Sequence, residues 1–273
     1  MSLPPEIKPN QSPELLKALH ILTRDGKLNQ DSRRKLKQVY HLVNFIEPLI
    51  NDVLDKRDDL ILVDHGAGKS YLGFILYDLL LKQLPIGKVI GIESRADLVS
   101  KSQQLALLCG FERMVFQHLT VAESMTSLII PDKVDIVTAL HACDTATDDA
   151  IQFGLIKQAQ YMVLVPCCQA EVASALRKHK AESLSKTPLS ELWRHPIHTR
   201  EFGSQITNVL RCLQLEAAGY KLTVTELVGW EHSMKNELII AQYTGQQRRS
   251  SKERLLAILA ELNLTEIQTR FVA

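Results

Sequence analysis

The residues with the clearest chemical potential lie between Asp64 and Ser70, where the sequence reads Asp-His-Gly-Ala-Gly-Lys-Ser. The aliphatic run 60–63 precedes them, and a pattern typical of an apolar helix begins at Tyr71. Strand, glycine turn and helix in this order build a nucleotide-sized crevice at the carboxyl edge of an open α/β sheet. Glycines permit unusual backbone angles and let a ligand approach the chain closely. The stretch therefore predicts a site for a nucleotide-like ligand.

The spacing of the glycines separates three ligands that use turns of this kind. A Walker A phosphate loop needs a glycine at position 63, where Val63 stands, so the phosphate cradle is excluded. A dinucleotide fingerprint needs a third glycine at position 71, where Tyr71 stands, and is therefore disfavoured. The remaining pattern, acidic-x-Gly-x-Gly, resembles motif I of class I S-adenosylmethionine (SAM) methyltransferases.

The resemblance to motif I implies SAM as the cofactor and assigns roles within the stretch. Asp64 is expected to help hold the cationic amino-acid end of SAM. The turn that makes room for the cofactor consists of Gly66, Ala67 and Gly68. Lys69 either orients a phosphate or a carboxylate, or faces solvent at the start of the helix.

Further candidates for the cofactor site stand at the ends of the next strands. Glu93 closes a predicted strand over 88–93, 29 residues after Asp64, and a carboxylate there can accept hydrogen bonds from both ribose hydroxyls. A helix N-cap or a surface salt bridge is the structural alternative for Glu93. At the end of the predicted strand 114–117 and after it, Gln117, His118 and Thr120 are placed to approach an adenine. Leu140, the last residue of the predicted strand 134–140, is assigned to the same pocket.

Polar residues after the fourth strand are the candidates for chemistry on the methyl acceptor. Methyl transfer needs an aligned acceptor and, for a hydroxyl or an amine, removal of a proton. His141 and Asp144 are the candidates for a base or an acceptor-orienting group. The alternative for His141 is a histidine that hydrogen-bonds between strand ends.

Three cysteines, Cys143, Cys167 and Cys168, follow the fourth and fifth predicted strands. They allow a zinc site with His141, covalent attack on a pyrimidine, or packing as small hydrophobic residues. The absence of a Cys-x2-Cys knuckle and of a Pro-Cys motif after the fourth strand favours packing, and no metal site is predicted.

The order of the predicted elements indicates an α/β fold. Five α/β units end at the predicted strand 161–165, and two further strands are predicted over 221–228 and 237–243. The connection 230–236 is too short for a crossover helix, so these two strands must be antiparallel. A terminal antiparallel hairpin is the layout of class I methyltransferases. The sequence thus predicts a seven-stranded, Rossmann-like sheet.

Segments outside this sheet complete the predicted organisation. A helix is predicted from Pro13 to about residue 24, and a longer one over 31–54 that Pro48 should kink or divide. The predicted domains are an N-terminal helical segment (1–55), a SAM-binding methyltransferase domain (56–245), and a basic linker with a C-terminal helix (246–273). Basic side chains on the longer helix form either a solvated face or a rim beside the site: Arg33, Arg34, Lys35 and Lys37.

Composition places few further limits on function. The 273 residues carry a net charge of +1, which gives no strong polyelectrolyte signal for nucleic acid but allows a local basic patch. Five cysteines, an odd number, without a recognisable signal peptide favour reduced thiols and a cytoplasmic location. No apolar run reaches the length of a membrane span. The oligomeric state is not readable from the sequence.

Several motifs resemble one family more closely. Residues 63–69 are similar to the Gly-Ala-Gly-Lys form of motif I in eukaryotic tRNA 2′-O-methyltransferases of the acceptor stem. Residues 140–148 resemble that family's Lys-His-Leu-Cys-Gly-x-Ala-Thr-Asp segment, and Pro166 precedes a Cys-Cys pair, as in related proteins. Asp144 replaces the family glycine, Leu140 replaces the lysine, and no zinc modules precede residue 31. The resemblance implies RNA, as tRNA or rRNA, for the substrate.

Two other functions stay open beside RNA methylation. One is methylation of a protein side chain or a small molecule, and the other is a SAM-binding, non-catalytic module that binds a partner. The polar segment 181–203 is either a surface connection or a substrate contact, because its aromatic and basic residues would suit a nucleobase or a phosphate.

Overall fold

A computed structural model describes residues 4–140, 144–166, 169–178, 188–227 and 237–272. The described chain forms a seven-stranded sheet in the order β3-β2-β1-β4-β5-β7-β6. Strands β1 to β5 are mutually parallel, and β7 is antiparallel to both of its neighbours. The strands are β1 (Ile61–His65), β2 (Lys88–Glu93), β3 (Met114–His118), β4 (Ile136–Leu140), β5 (Tyr161–Val165), β6 (Tyr220–Glu226) and β7 (Glu237–Tyr243). The predicted class I methyltransferase sheet is therefore confirmed.

Helices cover both faces of the sheet. They are α1 (Pro13–Ala18), α2 (Gln30–Leu54), α3 (Tyr71–Leu76), α4 (Ala96–Leu108), α5 (Val121–Thr126), α6 (Thr145–Ile156), α7 (Glu171–Lys178), α8 (Pro196–Ala217) and α9 (Arg249–Glu261). A π-helical segment, Tyr77–Leu81, continues α3, and 3-10 segments span Pro188–Trp193 and Thr265–Arg270. One core cluster joins α1 to α4 with one face of the sheet, and a second joins α6 and part of α8 with the other face.

The buried central strands explain why the sequence pattern was readable. All five residues of β5 are buried, and β1 is buried from Leu62 to His65. Because helices cover both faces, such strands are apolar along their whole length rather than alternating. Side chains along a strand point alternately to its two faces, so Leu62 packs in the first core cluster and Val63 in the second.

The N-terminal segment differs from its prediction. Ser12 caps α1 as expected, accepting a hydrogen bond from the Leu15 N–H, but the helix ends at Ala18 instead of near residue 24. His20 adopts a left-handed conformation (φ 56°), and the Ile21 N–H donates to the Leu16 carbonyl, which stops the helix. Helix α2 runs without division through Pro48.

Residues 188–203, the described part of the polar segment 181–203, have more regular structure than the sequence pattern indicates. Helix α8 begins at Pro196, inside the polar segment 181–203, with the proline in its first turn. Trp193 is buried and stacks on Phe202 with ring centroids 5.1 Å apart. This tryptophan is therefore part of a core and does not present its ring to a nucleobase.

The C-terminal residues pack on the main body. Leu255 and Leu259 of α9, with Phe271, share a third core cluster with Leu176 of α7 and Leu210 of α8. Helix α9 begins at Arg249, within the segment 246–273 that was predicted to hold a basic linker and a helix. Among the described residues, no helix is long and apolar enough to cross a membrane.

Candidate active site

A glycine turn connects β1 to α3. Gly66 and Gly68 have left-handed backbone angles (φ 65° and 58°), and Ser70 shares this conformation (φ 47°). The region is strained for residues with a Cβ, which explains glycine at the first two positions. The Ala67 N–H donates to the Ile92 carbonyl over 2.9 Å, so the turn is bonded to the neighbouring strand β2.

The surface of the turn is open to a ligand. Gly66 is exposed, and a Cβ at this position would meet no atom within 4 Å. The protein itself therefore leaves space at this position, and the backbone conformation, not crowding by protein atoms, requires the glycine. Lys69 is also exposed on the turn.

Asp64 anchors the turn from below. Its side chain is only 2% exposed, and its two oxygens accept hydrogen bonds from the Ser70 hydroxyl at 2.8 Å and the Thr138 hydroxyl at 2.9 Å. Burial raises the pKa of Asp64 to about 6, although hydrogen bonds from Ser70, Thr138 and the Gly73 N–H oppose the rise. These contacts tie the turn to β4. Contact of Asp64 with a cofactor stays a prediction.

Glu93 lies beside the turn at the end of β2. One of its oxygens accepts a hydrogen bond from the Gly68 N–H at 2.7 Å. Arg95 forms a salt bridge with the same carboxylate, its Nε 2.9 Å from Oε1, and adds a backbone N–H at 3.0 Å. Burial alone would raise the pKa of Glu93, but the hydrogen bonds and the charge of Arg95 outweigh it and lower the pKa. The Arg95 side chain is 63% exposed, so solvent is accessible to the guanidinium if it leaves the Glu93 carboxylate.

The remaining cofactor candidates lie at the same edge of the sheet. Gln117 pairs with Ile92 and His118 with Glu93 in the register of β2 and β3. Gln117 is half-buried, whereas His118 is exposed, with its Nε2 2.9 Å from the Ser94 carbonyl oxygen. Leu140 ends β4 and is half-buried. The structure thus brings the adenine candidates next to Glu93, while their roles stay predictions.

Asp144 has a task that the sequence did not indicate. Its Oδ1 accepts hydrogen bonds from the backbone N–H groups of Ala170 at 2.8 Å and Glu171 at 3.2 Å. The carboxylate therefore holds the start of α7 against the start of α6. Its predicted role in catalysis remains a prediction. The other acceptor-side candidates, His141, Cys143, Cys167 and Cys168, lie outside the described residues.

His65 is a buried polar residue that the sequence reasoning did not single out. It is 2% exposed, and neither ring nitrogen has a hydrogen-bond partner in the described structure. Its ring lies 5.1 Å from that of Phe153, centroid to centroid. Burial lowers the pKa of His65 to about 4, which keeps the imidazole neutral. The sequence contained no signal for this environment, because a polar residue after an acidic one reads as part of the turn.

Arg211 is a second missed residue, and here a signal was present. It follows Leu210 and precedes Cys212 and Leu213, so a charge interrupts the apolar stripe of α8. The structure buries its side chain completely against Asp148 of α6, with Nε 2.7 Å from Oδ1.

A cleft opens next to Asp144. Its volume is about 640 Å³, and it lies between the starts of α6 and α7 and the 3-10 segment Thr265–Arg270. Ala170 lines the end near Asp144, and Arg177 and Lys178 line the part along α7. Ile267 brings the C-terminal segment to its wall.

Comparison with known proteins identifies a family. Residues 34–175, just over half of the 273-residue chain, match a family model described as "Methyltransferase domain". A glutathione S-transferase C-terminal domain-containing protein homolog of Drosophila pseudoobscura pseudoobscura is 24% identical over 78% of this chain and 37% of its own length. The Homo sapiens glutathione S-transferase C-terminal domain-containing protein is 25% identical over 80% of this chain and 34% of its own length. The chain spans about a third of the length of these curated relatives.

Solved structures with similar folds include a protein named as a methyltransferase and a protein named as a pre-rRNA processing protein. Magnesium protoporphyrin IX methyltransferase from Synechocystis PCC 6803, with bound SAH, has a TM-score of 0.47 and 13% identity over 84% of this chain and 94% of its own. A Methanococcus jannaschii fibrillarin pre-rRNA processing protein has a TM-score of 0.42 and 12% identity over 69% of this chain and 68% of its own.

The environment of His65 predicts how its replacement changes acid stability. The folded-state pKa, about 4, lies below the ordinary 6.5, so stability falls as pH drops from about 6.5 towards 4 and the unfolded chain takes up the proton. Asp64 acts in the opposite sense, because its folded-state pKa of about 6 lies above the ordinary value of 3.8 and its contribution is lost as pH rises through that window.

We expect His65→Phe to gain free energy of unfolding over the unmodified protein as pH falls, by up to about 3 kcal/mol near pH 4. Urea unfolding between pH 4 and 7 measures the difference. Val137→Ala is the control. It removes buried methyl groups from the second core cluster, which contains Phe153, the ring neighbour of His65, and it changes no titratable group. Its effect on stability should not depend on pH. A pH-independent difference for His65→Phe would show that the imidazole is not held neutral by burial.

Proposed function

We propose that this chain, which belongs to the methyltransferase domain family, transfers a methyl group from SAM to RNA, as tRNA or rRNA. The proposal has two parts, because the cofactor and the acceptor use different edges of the same site. The observation that carries it is the hydrogen bond of 2.7 Å from the Gly68 N–H to Glu93, which joins the open glycine turn to the acidic end of β2.

The residues around the turn fit the shape and charges of SAM. Gly66 leaves its backbone open to a ligand, and Glu93 offers carboxylate oxygens to the two ribose hydroxyls. On binding, Glu93 would exchange hydrogen bonds from the exposed Arg95 for hydrogen bonds from the ribose. Gln117 and His118, beside Glu93, would border the adenine. SAM, when bound, supplies a methyl group that is already activated on a sulfonium.

Asp64 would contribute through the turn that it holds. Its oxygens accept hydrogen bonds from Ser70 and Thr138, which keep α3 and β4 against the turn. Its negative charge would favour the cationic amino-acid end of SAM by electrostatic attraction. The Asp64 side chain is only 2% exposed, and the low dielectric constant around it would strengthen this attraction.

The acceptor side supports RNA by motif and by charge. Residues 140–148 resemble the tRNA 2′-O-methyltransferase segment, and His141 would remove or guide the proton of the acceptor hydroxyl. Lys69 and Arg95, which are exposed on and beside the cofactor turn, would offer positive charge to a phosphate backbone. Arg95 would be free for this role once the ribose occupies Glu93.

The substrate class is tested by methyl transfer from tritiated SAM to RNA and protein fractions from cells that lack the gene. We expect label in the RNA fraction and its release by ribonuclease, because the proposed acceptor is an RNA group. Label in the protein fraction would contradict RNA and keep methyl transfer. SAM binding without label in any fraction would indicate a non-catalytic, partner-binding module.

The cofactor turn is tested by Gly66→Arg. A side chain at this position would fill the open space above the turn, and we expect the Kd for SAM to rise by at least about 100-fold, or roughly 2.7 kcal/mol. Isothermal titration measures the change.

Gly26→Arg is the matched control for backbone strain. Gly26 also has a left-handed conformation (φ 75°) and open space where a Cβ would stand, but it lies in a turn before α2. Its replacement should leave SAM affinity unchanged. Equal affinity of Gly66→Arg and the unmodified protein for SAM would contradict the placement of the cofactor.

A further inference from the structure

Arg211 binds the start of helix α6 from inside the protein. Its side chain is completely buried, and its Nε and Nη2 donate to the two oxygens of Asp148 at 2.7 and 2.8 Å. The same Nη2 lies 2.8 Å from the carbonyl oxygen of Asp144. One guanidinium thus holds both the first turn of α6 and the residue that precedes it.

A second arm of the same network reaches two other segments through Asn208. The Arg211 Nη1 donates to the Asn208 side-chain oxygen at 3.1 Å, and Gln169 donates to that oxygen at the same distance. The Asn208 amide donates in turn to Glu237 at 2.6 Å. Ser204 then donates to the Gln169 oxygen at 2.5 Å, so α8 contributes three members of the network.

These contacts meet at one edge of the sheet. Asp144 follows β4, Gln169 follows β5, and Glu237 begins β7, and these three strands are neighbours in the sheet. Because β7 is antiparallel to β5, its first residue lies at the edge where β4 and β5 end. The Asp144 carboxylate adds hydrogen bonds to the N–H groups of Ala170 and Glu171. The network therefore joins the chain segments at three adjacent strand ends.

The chemistry of the network indicates more than a contribution to stability. A buried ion pair loses much of its Coulombic gain to desolvation, and apolar residues of similar volume often stabilise a fold equally well. A fully hydrogen-bonded buried network, by contrast, fixes one arrangement of the segments that it joins. The hydrogen bonds of the cofactor turn, from Gly68 to Glu93 and from Ser70 to Asp64, do not involve any member of it.

We propose that Arg211 is a positioning residue for the acceptor half of the site. It holds Asp144 after β4, Gln169 after β5 and Glu237 at the start of β7 in one arrangement, so that the acceptor is aligned with the transferred methyl group. The proposal rests on the proposed methyltransferase function. A misplacement of reacting groups by about 1 Å can lower the rate of an enzymatic reaction about 100-fold.

The test replaces the ion pair by apolar residues in Arg211→Met/Asp148→Leu, which avoids leaving one buried charge without its partner. We expect cooperative thermal unfolding and unmodified affinity for SAM, but methyl transfer to the RNA fraction about 100-fold slower at saturating SAM. Amide hydrogen exchange should accelerate at 144–148, 169–171 and 237–238, and stay unchanged in β1 and β2. The single variant Arg211→Lys keeps the positive charge beside Asp148 and should transfer methyl groups faster than the double variant.

Arg57→Met/Asp135→Asn is the matched control at the opposite edge of the sheet, and the asparagine oxygen can still accept the hydrogen bond from the Ile61 N–H. Arg57 lies 2.7 Å from Asp135, which precedes β4 at its amino end, so an arginine–aspartate pair is lost there as well. This variant should transfer methyl groups at the unmodified rate.

Two results would overturn the role of Arg211. One is unmodified transfer by the double variant, and the other is hydrogen exchange that is unchanged or accelerates uniformly across the sheet. If the unmodified protein neither binds SAM nor transfers a methyl group, the proposed function fails. The exchange pattern then still decides whether Arg211 positions these three segments.

Discussion

The hydrogen bonds to the buried Asp64 carboxylate are the interactions on which the proposed cofactor side of the site depends. The carboxylate joins Ser70 at the end of the glycine turn to Thr138 in β4, so the turn, α3 and the centre of the sheet share one hydrogen-bonded centre. Burial makes the charge costly, as the raised pKa of about 6 shows, and the two hydroxyl donors offset part of that cost. The backbone above it is left open for a ligand.

The site is organised in two halves that are held by different contacts. On the proposed cofactor side, hydrogen bonds connect the turn to β2. The Glu93 carboxylate accepts hydrogen bonds from both Gly68 and Arg95. On the acceptor side, a buried arginine in α8 connects residues distant in the sequence. Both halves need the fold to be complete, because Asp64 and Thr138 are 74 residues apart in the sequence, and Arg211 and Asp148 are 63 residues apart.

The limits of the sequence follow the same division. The strands and the glycine turn were predictable because buried parallel strands and left-handed glycines have local patterns, as Leu62, Val63 and Gly66 illustrate. Local patterns did not reveal that Trp193 packs on Phe202, since the polar residues Arg194 and His195 follow the tryptophan directly. Nor did they reveal the partners of Arg211, because Asp148 and Asn208 become its neighbours only through tertiary packing. Long-range polar contacts are set by the fold and not by residue spacing.

We expect the glycine turn between β1 and α3, which contacts Asp64 and Glu93, to bind SAM and not a nucleotide phosphate. Isothermal titration of the unmodified protein with S-adenosylhomocysteine, ATP and NAD at matched concentrations tests it most directly. We expect saturable binding of S-adenosylhomocysteine at one site and no measurable binding of ATP or NAD. Saturable binding of ATP or NAD, together with no binding of S-adenosylhomocysteine, would contradict it.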